Sequence, residues 1–425
     1  MCLWQKRGTP KISLVKQKMK ERGTLYQESW QKLKKDKIAM FGLFVILFAV
    51  LIAVLGGNIR PDPSPYANDG VSAIARLPTR STVRLLNVRK NKEIPKASFW
   101  DKLFFGGQLP QFSHVPVESY FFRNDSIVVN LFTSMRKTSK SKPIQQSFEL
   151  ADVVYPISKK KEHQPYEENG KIVFQTINGE QKKVSKEELQ NEIEKNNLVE
   201  RTYWLGTDVQ GRDLLSRDMA GTIVSLSVGL ISVIISLIIG VLLGAVSGYY
   251  RGTPDTVIMW LINVVWSIPT LLLIISVTLL LGKGFTTVFF AVGLTMWVEL
   301  ARIVRGQILS IREKEYIEAG KALGYSNYRI ITKHIFPNII GSVIVICASN
   351  FAAAILIEAG LSFLGIGAQI PMVSWGTMIE QHKSFITHAD KAFLALVPGL
   401  SIILLVFAFM LLGNGLRDSF DTQNE

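Results

Sequence analysis

With 425 residues, 48% of them hydrophobic, and a positive mean hydropathy, the chain is too apolar and too segmented for one soluble core. Its long apolar runs instead match a bilayer, whose hydrocarbon layer takes about 20 apolar residues to cross. The net charge of +14 would suit nucleic acid, but the basic residues fall beside or between the apolar runs, as loop charge bias in membrane proteins requires, so no nucleic-acid partner is expected. Cys2 precedes the first apolar run and Cys347 lies within a later one, so a disulfide framework is excluded.

Residues 1–57 join a basic leader (Lys11, Lys16, Lys18, Lys20, Arg22, Lys32, Lys34, Lys35, Lys37) to the apolar run 38–55. The leader is long and the small-residue cleavage pattern is weak in GGNIRPDP, so this reads as a retained transmembrane helix with a cytoplasmic N-terminus rather than a cleaved signal peptide. Residues 58–205 form a polar insertion opening on RPDPSP, whose prolines predict an extended linker. Alternating runs at 126–132 and 171–177 predict strands, and 185–196 predicts a charged helix with Ser185 as cap and Glu188 three residues on. The expectation is a small α+β module on the extracytoplasmic side. His114 and His163 are isolated and read as surface residues, without metal spacing.

Residues 206–220 (Gly206, Asp208, Gly211, Arg212, Asp213, Ser216, Arg217) predict an interfacial helix at headgroup level, a capped helix start being the other reading. The membrane core then runs over 221–414. Its first helix, 223–249, places Ser232, Ser236, Gly240, Gly244 and Gly248 at every fourth position, one smooth ridge for close helix packing. The next, 257–281, carries Pro269 near its middle and should kink there. A helix at 285–301 ends at Arg302 and Arg305, a further one covers 339–357 with Glu358 at its outer end, and the last covers 392–412. Trp375, in the outer loop 368–391, reads as an interfacial anchor. A proline break in a span can line a pathway, and polar or ionisable groups at membrane depth are functional candidates, so Pro269, Asn350 and Glu358 are taken as pathway or outer-gate candidates. The fold class expected is an all-α polytopic membrane protein of six transmembrane helices, with both termini, including the tail 415–425, in the cytoplasm.

Between two of these runs lies a polar, basic stretch, REKEYIEAGKALGYSNYRIITKHIFP at 312–337. Tyr316, Ala319, Leu323, Ile330 and Ile331 give an apolar face at helical spacing, Gly324 supplies a helix stop, and a second short helix ends at Pro337. A solvated basic loop is the other reading.

The run Glu318-Ala319-Gly320, with Gly324 and His334-Ile335-Phe336-Pro337, resembles the EAA loop of type-1 ABC importer permeases. It departs from the family pattern at Gly320 (alanine), His334 (isoleucine) and Phe336 (leucine), the histidine being similar to the peptide-importer branch. LGTDVQGRDLLSR (205–217), LSFLGIGAQIPMVSWGTM (361–378) and LLGNGLRDSFD (411–421) resemble the C-type permease subunit of oligopeptide and dipeptide importers. Two features depart: Ile223 stands where the family has arginine, and the insertion is far longer than the usual outer loop.

The resemblance implies a permease that is not itself an enzyme and binds no cofactor, since no Gly-x-x-x-x-Gly-Lys-Ser/Thr loop occurs. ATP and Mg would be used by two ABC ATPase subunits docked on Tyr316, Glu318, Ala319, Gly320, Leu323 and Gly324. A second homologous permease subunit, membrane lipid and an extracytoplasmic peptide-binding protein are the other implied partners. A nickel complex or glutathione stays open as the solute. A membrane sensor with an extracytoplasmic ligand domain is the alternative of another class, though the tail is too short for a transmitter. An intramembrane enzyme is disfavoured because the helices carry no paired ionisable residues or metal motif.

Overall fold

The computed structural model describes residues 27–95, 97–100, 102, 107–134, 144–158 and 165–420. Cys2 and His163, named above, lie outside them. The chain divides into two compact units, one holding residues up to Ala49, Ser227–Glu358 and those from Ile402 onward, the other Val50–Leu226 and Ala359–Ser401.

The first unit is helical. Among the described residues of the chain, five helices, four of them extending into the second unit, are long and apolar enough to cross a membrane: Lys37–Ile59, Leu214–Tyr250, Phe285–Arg312, Asn327–Phe363 and Phe393–Phe420. The stretch expected as one kinked helix is instead two, Gly252–Trp266 and Thr270–Leu281, bent by 90°. Pro269 caps the second of these with a non-helical ψ of 122°, because its ring and missing N–H forbid continuing the first ladder. The Leu214–Tyr250 helix has 37 residues, about 55 Å at 1.5 Å per residue, so it outruns a hydrocarbon layer of about 30 Å. The helix expected to stop at 301 runs on to Arg312. Arg302 does not mark its end but lies over the Trp266 ring at 3.6 Å.

Small residues decide where the helices meet. A Cβ on Gly240 would fall 2.9 Å from Leu300, and one on Gly248 would fall 2.9 Å from the Arg305 carbonyl. At Gly244 the Ala301 carbonyl would be 2.6 Å away. Ser232 Oγ donates to the Phe289 carbonyl at 3.2 Å, whereas Ser236 Oγ bonds within its own helix to Val233. The ridge therefore rests on the Phe285–Arg312 helix along most of that helix's length. Gly244→Val is expected to lower stability by about 1–3 kcal/mol through overpacking, read as a fall in the thermal unfolding midpoint in detergent. An unchanged midpoint would mean that the helices are not this close.

The second unit contains most of the insertion, and its strands outnumber those expected. β1 (Ser81–Arg89), β2 (Phe112–Arg123), β3 (Ser126–Leu131), β4 (Gln145–Glu149) and β8 (Leu198–Tyr203) form an antiparallel sheet in the order β4-β3-β2-β1-β8. Leu86 is opposite Val115 on one side and Leu198 on the other. β5 (Tyr166–Glu168), β6 (Lys171–Gln175) and β7 (Gln181–Ser185) form a second, three-stranded sheet. Leu86, Ile127, Val129, Phe174, Leu189 and Ile193 share one core. The helix Lys186–Glu192 starts at Ser185, whose hydroxyl takes the Glu188 N–H while Glu188 bonds back to the Ser185 N–H.

Four expectations for this unit are corrected. RPDPSP is not a free linker: the Arg60 guanidinium donates to the carbonyls of Asp62 (2.7 Å) and Ser64 (2.5 Å), supplying partners that a proline-rich turn cannot find in its own backbone. His114 is no lone surface residue, since one ring nitrogen lies 2.6 Å from Asn87 Oδ1 and the other 3.1 Å from Asp69.

Residues 206–213 are not an interfacial helix but a buried turn leading into the Leu214–Tyr250 helix. Asp208, fully buried, accepts the Arg212 N–H (2.9 Å) and Nε (2.6 Å) and lies 3.4 Å from Arg217 Nε. Arg217 donates on to Asn68 (2.7 Å) and Arg212 to Gln381 (3.2 Å). The charges that suggested a headgroup layer satisfy each other inside the protein. Asp213 accepts from the Ser216 N–H, the capped start that was the other reading, and burial pushes its carboxyl above the usual range.

Trp375, finally, is buried rather than interfacial. Its Nε1 donates to the Asp218 carbonyl at 3.0 Å, and its ring fills the space that a side chain at Gly221 would need. It opens a helix, Trp375–His382, inside the segment expected as a loop. His382 there is fully buried, and burial holds its imidazole below the ordinary value.

Candidate functional site

Residues 312–337 form a short helix, Glu315–Ala322, a glycine turn and a second helical turn, Asn327–Ile330. Glu315 and Glu318 lie in the first turn and Lys321 in the last, each favourable to the helix dipole. The helix stops as glycine at Gly324 allows: φ is +75°, the Gly324 N–H reaches the Lys321 carbonyl, and the Tyr325 N–H reaches the Gly320 carbonyl. Ser326 caps the next turn by accepting from the Arg329 N–H at 3.3 Å.

The second helical turn does not end at Pro337. It passes through a π turn, Ile331–Ile335, in which the Phe336 N–H bonds to the Ile331 carbonyl, and continues as Phe336–Phe363. This wider turn sits just ahead of Pro337, where a regular α ladder would meet a missing donor and a ring clash.

The faces differ from the single apolar stripe expected. Ile317 and Gly320 are buried and Ile330 is 1% exposed, whereas Tyr316, Glu318, Ala319 and Leu323 face outward. Leu323 is 63% exposed. Ile317, Ile330 and Ile335 belong to one core with Leu300, Val304, Ile308, Ile339 and Val343. The segment is thus held by its isoleucines on two membrane helices and presents the other side to its surroundings.

Polar ties fix it further. Tyr249 Oη donates to Asn327 Oδ1 at 2.8 Å, Arg312 donates to the Tyr249 carbonyl, and Arg329 and His334 flank the Tyr325 ring. Next to it, Arg305 grips Asp255 with two bonds, Nε–Oδ1 at 2.6 Å and Nη2–Oδ2 at 2.7 Å. The burial of Ile317, paired with Ile330, and the Asp255–Arg305 clamp were missed in the sequence. An apolar residue on each side of the glycine turn was the available signal for the first.

Gly320 stands where the resembled family has alanine. A Cβ there would meet the Tyr325 ring at 3.4 Å, an ordinary contact. Gly320→Ala is therefore expected to stabilise the short helix by about 1 kcal/mol, seen as slower amide exchange over residues 315–322. Faster exchange would show that the ring cannot accommodate the methyl group.

Of the pathway candidates, Asn350 and Glu358 are buried along Phe336–Phe363, and Asn350 Nδ2 has no hydrogen-bond partner among the described residues. Pro269 is exposed. Among the described residues no group of three or more His, Cys, Asp or Glu is placed to hold a metal.

The helices and the outward-facing loop define a multi-pass membrane protein. Comparison with known proteins gives the family. The profile of the binding-protein-dependent transport system inner membrane component matches residues 240–423, and that of the N-terminal TM domain of oligopeptide transport permease C matches residues 24–78. The glutathione transport system permease protein GsiD of Pectobacterium atrosepticum is 40% identical over 219 residues, 52% of this chain and 72% of that protein. The oligopeptide transport system permease protein OppC of Bacillus subtilis is 37% identical over 221 residues, covering 52% and 72%. Its dipeptide counterpart DppC is 40% identical over 221 residues, covering 52% and 68%. A solved inward-facing MetNI methionine ABC transporter superposes with a TM-score of 0.40 at 17% identity, over 47% of this chain and 94% of that one.

The chain belongs to the family of binding-protein-dependent transport system inner membrane components. It is a multi-pass inner-membrane permease component of an ABC importer, a complex in which separate ATPase subunits hydrolyse ATP. Residues 79–239, which hold nearly all of the insertion, lie outside both profile matches.

Proposed function

We propose that this chain lines half of a translocation path for short peptides and is driven through residues 312–337. The observation that carries the reading is the loop's two-sidedness: Tyr316, Glu318, Ala319 and Leu323 outward, Ile317 and Ile330 in a core shared with the membrane helices. An ATPase subunit docked on the outward side moves the loop and those helices as one body, because a packed core transmits displacement rather than absorbing it. Closure of two ATPase subunits on ATP and Mg then switches the path between inward and outward access by rigid-body motion.

In this reading the bent pair counts as a sixth crossing, both termini are cytoplasmic, and the insertion lies on the extracytoplasmic side. A second homologous permease subunit supplies the other half of the path, and a soluble binding protein delivers the solute. Peptide as the solute is supported by the relatives named for oligopeptides and dipeptides; the relative named for glutathione, itself a peptide, keeps that molecule within the same class. Asn350, with its unpartnered amide, is the side chain best placed for the path, and Glu358 is the second.

The test is to purify the tagged full chain from its native membrane and reconstitute what comes with it. An ATPase subunit and a second permease are expected, with ATP-dependent uptake of short peptides into proteoliposomes once binding protein is added. A chain that purifies without an ATPase, and liposomes that take up no peptide, would sink the reading.

A further inference from the structure

The start of the insertion is folded back onto the end of the first membrane helix. Past Ile59 the chain winds around the Arg60 guanidinium, which donates to the carbonyls of Asp62 and Ser64, so Pro63 stays within one side chain's reach of the helix end. The Gln108 N–H then donates to the Pro63 carbonyl at 2.7 Å. Gly107 packs so close that a Cβ would fall 2.7 Å from Arg60 Nη2, at a φ of +145°. Gly107 and Gln108 therefore lie against Arg60 and Pro63, just past the end of the helix. Upstream, Gln111 Nε2 donates to the Ile94 carbonyl at 3.3 Å, which closes the base of the excursion between them.

That excursion carries large apolar groups turned outward. Phe99 is 52% and Trp100 63% exposed, in edge-to-face contact with centroids 5.6 Å apart, and Leu109 is 60% exposed. The last turns of the first membrane helix expose Leu51, Val54 and Ile59. Exposed tryptophan is characteristic of a membrane-water boundary, and Lys102, two residues on in the sequence, has a stem long enough to carry its charge to headgroups.

We infer that Phe99, Trp100 and Leu109 form a lipid-contact surface that seats the insertion in the headgroup layer beside the first membrane helix. The surface does not depend on which solute is carried.

The test uses the full chain in nanodiscs of phosphatidylethanolamine and phosphatidylglycerol, with Cys2→Ser and Cys347→Ala as background. Phe99→Cys and Leu109→Cys, each labelled with nitrobenzoxadiazole, are read against the same label at Asn178→Cys in the exposed β6–β7 turn. At 99 and 109 the emission is expected to be blue-shifted, quenched by lipids brominated near the headgroup end of the acyl chain, and shielded from aqueous iodide. The label at 178 is expected to show the reverse. If iodide quenches at 99 and 109 as readily as at 178, the surface faces water and the inference fails. It fails equally if the labels are shielded from iodide but insensitive to brominated lipid, since a protein then covers them.

Discussion

A chain carrying Glu318→Lys is expected to fold and insert as the parent does and yet to lose its ATPase. Glu318 is exposed in the first turn of a helix whose hold on the protein comes from Ile317. Reversing its charge sets a cation near a helix N-terminus, which costs about 0.3–1 kcal/mol, too little to unfold the loop. At a docked interface the same change removes an anion and leaves a cation in its place. Losses of at least about 2 kcal/mol are usual for such a contact when it lies at an interface centre, about a 30-fold weaker complex. Co-purification of the ATPase, ATP-dependent uptake and the thermal midpoint of the variant check this together. Normal uptake with normal co-purification would remove Glu318 from the coupling role, and a collapsed midpoint would place it in the fold instead.

The second large effect concerns Asp208. Asp208→Asn leaves the guanidinium groups of Arg212 and Arg217, 10% and 2% exposed, without their carboxylate. Removing one partner of a buried pair typically costs about 3–5 kcal/mol, because the remaining charge stays out of water. The comparison is Glu200→Gln at the Arg84–Glu200 pair, where both side chains are well exposed and the expected change is below about 1 kcal/mol. Unfolding of both variants in detergent gives the contrast. Equal midpoints would show that water reaches the Asp208 cluster.

Some of this was legible in the residues. The apolar runs marked the spans because a bilayer sets their length, and the Ser185–Glu188 cap and the stop at Gly324 were read correctly because they depend on local backbone chemistry. What failed depended on partners distant in sequence. Arg212 and Arg217 look like headgroup ligands until Asn68 and Gln381 are brought to them. Trp375 looks like an anchor until the Asp218 carbonyl supplies its acceptor. In the loop, Tyr316, Ala319 and Leu323 were grouped with Ile330 and Ile331, because helical spacing alone cannot say which of two apolar faces is covered. Burial of Ile317 and Ile330 decides it. Most strands of the insertion were missed because their pairing is non-local and several are too polar to alternate clearly, as in β4 and β7.

The π turn at Ile331–Ile335 sets the phase of the loop. In an uninterrupted α-helix each residue turns the chain by about 100°, so Ile330 and Ile335, five apart, would point in widely different directions. One wide turn takes up the surplus residue and brings both onto the side followed by Ile339, Val343 and Ile346. It works as an indexing tooth: the direction in which Glu318 and Leu323 are presented is keyed to the membrane helix through a single residue of register. A chain shortened by one residue there would keep every side chain of the outward face and aim it elsewhere.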